Sequence, residues 1–133
     1  MSSFLASLPH QLPFRAATTG ELTGDDRAEG RYFVTAGDAL AEGEPVSTFM
    51  LFEAMAQIGG SIAFRETHEP AFLSAIEGAE LDTPLLVGDE VVISVTLDAT
   101  FGAVHRFSAK GLRDGVEIAR ARFYLSSQNL KSL

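Results

Sequence analysis

Glu53 stands in the middle of an apolar run, Ser47 to Arg65 (STFMLFEAMAQIGGSIAFR), and is the side chain in this sequence best placed to do chemistry. A carboxylate among Phe49, Met50, Leu51, Phe52 and Met55 is costly to bury unless it is paired or used. In such a setting it can act as a general acid, as a base toward water, or as a nucleophile. It can equally be a structural acid bonded to a loop backbone, and the residues alone leave both readings open. Gln57 lies one turn further along the same side of the run, within reach of Glu53, where it bonds locally or touches a substrate. Asp38 follows Gly37 in an acidic loop that also holds Glu42 and Glu44. An Asp38–Glu53 pair formed between subunits would divide acid and base duties, because like charges push one pKa up. A solvated loop acid is the plainer reading of Asp38. Ser47 and Thr48 offer hydroxyls to a bound carbonyl or, more simply, cap the first turn of a helix. Phe49, with Met50, Phe52 and Phe64, suits the lining of an apolar substrate site and equally a packed core.

Other chemistries are not supported. The three histidines, His10, His68 and His105, share no ligand spacing, so no metal is expected, and no cofactor motif occurs. The chain has no cysteine, which removes a thiolate nucleophile and a disulfide framework. A formal net charge of −8 disfavours nucleic acid, whose phosphates require a cationic footprint. Pro9 and Pro13 interrupt the first residues, and no window reaches the roughly 18 apolar residues of a membrane span. The expectation is a soluble, cytoplasmic protein with no membrane partner, and 133 residues suit a single domain, 1–133.

The elements that must position Glu53 can be read from periodicity. The Ser47–Arg65 run is apolar nearly all round, so as a helix it must be wrapped by other structure. Gly59-Gly60 weakens it but admits a neighbouring backbone closely. After the Val87-Gly88-Asp89 turn the period changes to two: Val91, Ile93, Val95 and Leu97 alternate with polar residues. His105, Phe107 and Ala109 alternate likewise, as do Ala119, Ala121, Phe123 and Leu125. Between these last two strands a three-residue loop with Gly115 in the left-handed region would set Phe107 opposite Ala121. Arg106, Lys110, Arg120 and Arg122 then share the outer face, as an ion-pair ladder with Asp98 near Arg106 or as a local attraction for an acidic partner. Arg27–Val34 and Ala71–Leu81 complete the strands. The expected fold is α+β, an antiparallel sheet wrapped around one long central helix, which is a hotdog.

Three segments in order resemble the FabA/FabZ-type 3-hydroxyacyl-acyl-carrier-protein dehydratases. They are Leu8-Pro9-His10-Gln11-Leu12-Pro13-Phe14, the Glu53-Ala54-Met55-Ala56-Gln57 run, and Phe72 to Glu77 followed by Pro84 to Asp89. The resemblance spans nearly the whole chain and implies a hotdog dimer that holds an acyl thioester carried on CoA or a carrier protein. It implies further that Glu53 matches the helix carboxylate, which helps the 3-hydroxyl leave while a loop histidine of the neighbouring subunit takes the C2 proton. The backbone at the helix start would then receive the thioester carbonyl. This sequence departs from the pattern at the histidine: the matching loop reads Gly37-Asp38-Ala39-Leu40-Ala41, and no histidine occurs between His10 and His68. The family's Pro-Gly at the helix mouth is replaced by Ser47-Thr48. Three functions follow as alternatives. One is a dehydratase-related acyl-thioester binder without autonomous activity, completing the site of a histidine-bearing homologue. Another is a hotdog thioesterase using Glu53, and the last a structural or regulatory module without ligand.

Overall fold

A helix that is apolar on every side needs a sheet long enough to curl around it, and the chain supplies one. The computed structural model describes residues 19–34 and 48–127. These form β1 (Thr19–Leu22), β2 (Arg27–Phe33), α1 (Thr48–Thr67), β3 (Phe72–Leu81), β4 (Glu90–Phe101), β5 (Val104–Arg113) and β6 (Val116–Ser126). The strands make one sheet in the order β1-β2-β4-β5-β6-β3, with every neighbouring pair antiparallel. The chain thus leaves β2 near one edge, passes through α1, and returns as β3 on the opposite edge. This is the wrapped helix expected from the apolar run, with one short strand, β1, that periodicity did not reveal.

Leu51, Met55, Ile58 and Ile62 of α1 are fully buried against Val91, Ile93, Val95 and Phe107 of the sheet. Each such side chain removed from water is worth about 1.5–3 kcal/mol. The four helix positions follow three- and four-residue spacing, so one stripe of α1 is committed to this core. The helix ends at Thr67, whose hydroxyl bonds back to the Ala63 carbonyl at 3.0 Å, and His68 turns the chain with φ of 59°. Arg65 ties this end to the β1–β2 turn through the Gly24 carbonyl and the Asp25 carboxylate, both at 3.2 Å.

The β5–β6 hairpin corrects the expected register. Asp114 and Gly115 form a two-residue turn with φ of 53° and 79°, and Arg113 pairs with Val116. Positive φ at both positions matches the twist of a hairpin, which is why Asp-Gly serves here. Such a turn alone would mix the two faces. A bulge between Gly111 and Leu112 shifts the ladder by one residue, so that Phe107 lies opposite Phe123 and Ala109 opposite Ala121. The apolar face is kept as expected, by a tight turn plus a bulge and not by a three-residue loop.

The outer face carries an ion-pair ladder, though not with the expected partner. Arg120 binds Asp82 at 2.6 Å and Glu117 at 2.8 Å, Arg122 binds Glu77 at 3.2 Å, and Lys110 approaches Glu117. Asp98, which had been expected near Arg106, accepts a short hydrogen bond from Ser108 instead, because a bulge between Leu97 and Ala99 shifts the β4–β5 pairing there.

Candidate functional site

Glu53 lies in the second turn of α1 and is partly buried. It opens on a small hollow between the helix and the β6–β3 side of the sheet. Phe52 and Ala56 line the hollow from α1, Leu73, Ile76 and Ala79 from β3, and Ala121 and Phe123 from β6. Among the described residues, every lining side chain apart from Glu53 is apolar, which is the usual composition of a site that orients a ligand by few polar groups. The hollow measures about 30 Å³, room for on the order of two water molecules.

The sheet explains where this hollow comes from. In the β3–β6 ladder Ala79 faces Ala121 and the next inward pair is Ile76 and Phe123. Two methyl-sized side chains opposite Ala56 leave space between the layers. One step further the phenyl ring of Phe123 narrows it, and Leu73 lines it beyond. This ring stacks on Phe107 with centroids 5.4 Å apart and planes 18° from parallel. Gly59 makes the contact possible, because a Cβ at that position would lie 3.0 Å from the ring. The sequence led one to expect a close backbone neighbour at Gly59-Gly60; the neighbour is an aromatic side chain.

The remaining predicted site residues divide clearly. Gln57 is buried one turn beyond Glu53 and does not line the hollow. Thr48 and Phe49 open α1, but their side chains lie outside the described residues, as do Asp38 and Ser47 altogether. His68 is exposed just past the helix. His105 is 1% exposed and bonded within the sheet, its Nδ1 to the Thr100 hydroxyl and its Nε2 to Ser127, each at 3.2 Å. Neither imidazole lines the hollow. Among the described residues there is no cluster of metal-ligating side chains, and no helix is long and apolar enough to cross a membrane.

The lining residues from β3 and β6 were not recognised from sequence. The alternation placed Ala121 and Phe123 on the inner face, but only the true register pairs Ala79 with Ala121 and so reveals a gap.

The fold recurs in solved structures. No family model matches the chain. It is 29% identical to the 3-hydroxyacyl-acyl-carrier-protein dehydratase FabZ of Cronobacter sakazakii, over 91% of this chain and 87% of that protein. FabZ of Escherichia coli is 27% identical over the same shares. The chain is a distant FabZ homologue with a hotdog fold. The dehydratase heterocomplex ApeI:P from Xenorhabdus doucetiae shares this architecture with a TM-score of 0.82, covering 98% of this chain and 94% of that one at 16% identity. A hypothetical thioesterase with coenzyme A from Streptococcus pneumoniae superposes with a TM-score of 0.70, over 86% and 89% of the two chains at 13% identity. These two likenesses establish the fold. The sequence has three histidines, and the two described ones, His68 and His105, do not line the hollow with Glu53.

Proposed function

We propose that this FabZ homologue binds an acyl thioester in the hollow beside Glu53, as a dimer joined along β3, and lacks autonomous dehydratase activity. The observation that carries this reading is Glu53 lining a hollow that is otherwise apolar among the described residues, with the exposed edge strand β3 as its outer wall. Phe72, Leu73 and Ile76 of β3 are 51%, 43% and 52% exposed. An exposed apolar edge is normally covered, and a second copy of the strand is the simplest cover. The ApeI:P heterocomplex offers a precedent for pairing unlike hotdog chains, and a histidine-bearing homologue is the partner that would complete the chemistry here. Its imidazole would remove the C2 proton. Glu53, protonated, would donate to the 3-hydroxyl, which leaves as water while the C2–C3 double bond forms. The backbone at the start of α1 would stabilise the enolate oxygen.

A second reading needs no histidine. Glu53 would activate water against the thioester carbonyl, releasing a free thiol and a carboxylic acid. The thioesterase fold match and the missing loop histidine favour keeping it.

Incubation with 3-hydroxyacyl and saturated acyl thioesters of pantetheine, followed by mass spectrometry, separates the readings. The purified chain alone is expected to leave both intact, and to release water from the hydroxyacyl thioester only when mixed with a histidine-bearing homologue. Loss of the acyl group by the chain alone, abolished in Glu53→Gln, would establish the thioesterase instead. Failure to bind either thioester would leave a structural or regulatory module.

A further inference from the structure

We infer that the hollow beside Glu53 is a short acyl pocket walled by Phe123, and that the protein selects thioesters of short acyl chains. This rests on the acyl-thioester reading above and extends it to the length of the chain and the residue that sets it.

The hollow exists because Ala56, Ala79 and Ala121 are small and converge beside the carboxylate. Where the ladder passes from Ala79–Ala121 to Ile76–Phe123 its wall changes from methyl groups to the Phe123 ring, and Leu73 of the edge strand lines it beyond. Phe123 is not a loose side chain that a ligand can brush aside. It is 3% exposed, stacked on Phe107, and its Cε2 and Cζ lie 3.0 and 3.2 Å from the position of a Gly59 Cβ. The ring is braced by an aromatic neighbour on one side and by helix backbone on another. Moving it requires the core to repack, since interiors are close-packed and have no free volume to receive a ring. The two aliphatic walls differ in kind: Leu73 and Ile76 are about half exposed on the edge strand and can adapt when that edge is covered. Phe123 is therefore the wall of the pocket that cannot give way. A volume of about 30 Å³ accepts a few carbons, far below the roughly 300 Å³ or more of sites that enclose larger ligands.

The test is a chain-length series. The 2-oxoalkyl thioethers of pantetheine that mimic its acetyl, butyryl, octanoyl and dodecanoyl thioesters, and which cannot be hydrolysed, are titrated into the full chain and its variants by calorimetry. The parent protein is expected to bind the butyryl compound at least about tenfold more tightly than the dodecanoyl one. Phe123→Leu is expected to move the optimum to octanoyl. Ala121→Val, which adds bulk to the hollow without removing the ring, is expected to weaken butyryl binding by about tenfold and to gain nothing at longer lengths. Circular dichroism and thermal melts confirm that each variant folds, and Ala121→Val carries the test if Phe123→Leu does not. Equal or tighter binding of the dodecanoyl compound by the parent overturns the inference while leaving the acyl-thioester reading intact. So does a folded Phe123→Leu or Ala121→Val with an unchanged profile. Absence of binding at every length overturns both.

Discussion

At the scale of single residues, the account turns on Glu53 and on what surrounds it. Glu53, partly buried, lines the hollow with Phe52, Ala56 and Phe123, and in the proposed reaction it would deliver the proton. Glu53→Gln preserves shape and removes the acid, so any turnover by the chain, alone or mixed, should fall at least about a hundredfold. Stopped assays of product formation at saturating thioester check this. The adjacent glycines give a contrast in stability. Gly59→Ala places a methyl 3.0 Å from the Phe123 ring and should destabilise by about 1–3 kcal/mol despite the better helix propensity of alanine. At Gly60 no described atom comes within 4 Å of the new methyl, and Gly60→Ala should gain up to about 1 kcal/mol. Urea denaturation of the two variants measures both.

At the scale of elements, the helix was the most legible part of the sequence. A nineteen-residue run, apolar nearly all round, reads as a helix wrapped by other structure, and α1 covers Thr48–Thr67. The longer strands were legible because alternation fixes which face is buried. Their register was not, because it depends on bulges that leave no periodic signature: one at Gly111/Leu112 reset the β5–β6 ladder and another at Leu97/Ala99 displaced Asp98. The same uncertainty hid the hollow, which exists only when Ala79 and Ala121 are opposite. Glu53 itself was legible as a misfit in an apolar run, whereas Phe123 read as one core aromatic among many. The Asp114-Gly115 turn can be tested directly: Gly115→Ala puts a side chain at φ of 79° and should cost about 1–2 kcal/mol in chemical denaturation. The outer-face ladder predicts an acid limb. The Tyr124 hydroxyl, then Arg122, hold Glu77 below its ordinary 4.5, and Arg120 holds Asp82 below its ordinary 3.8. Because these folded-state values are lowered, their contribution to stability is present above the ordinary values and is lost as pH falls through the lowered ones. Melting temperature should decline on acidification below about 4.5, and Glu77→Gln should flatten part of that slope. Both carboxylates are exposed, so salt should weaken the effect.

At the scale of the whole molecule, the sheet is unfinished on one side. Strand β3 exposes apolar side chains along its length, and among the described residues β6 alone pairs with it, on one edge. Sedimentation equilibrium should return a dimer, or a mixed dimer with a histidine-bearing homologue, and Ile76→Lys should shift it toward monomer by putting a charge on the edge. A parent chain that is monomeric at micromolar concentration would remove the second subunit from the account. The central claim, however, concerns what occupies the hollow, and one measurement reaches it directly. Calorimetric titration of the chain with the 2-oxoalkyl thioether analogue of butyryl-pantetheine should give saturable binding that is lost when Ala56→Leu fills the space beside Glu53. Binding that is absent in the parent, or unchanged in Ala56→Leu, would contradict the assignment of this hollow to an acyl thioester.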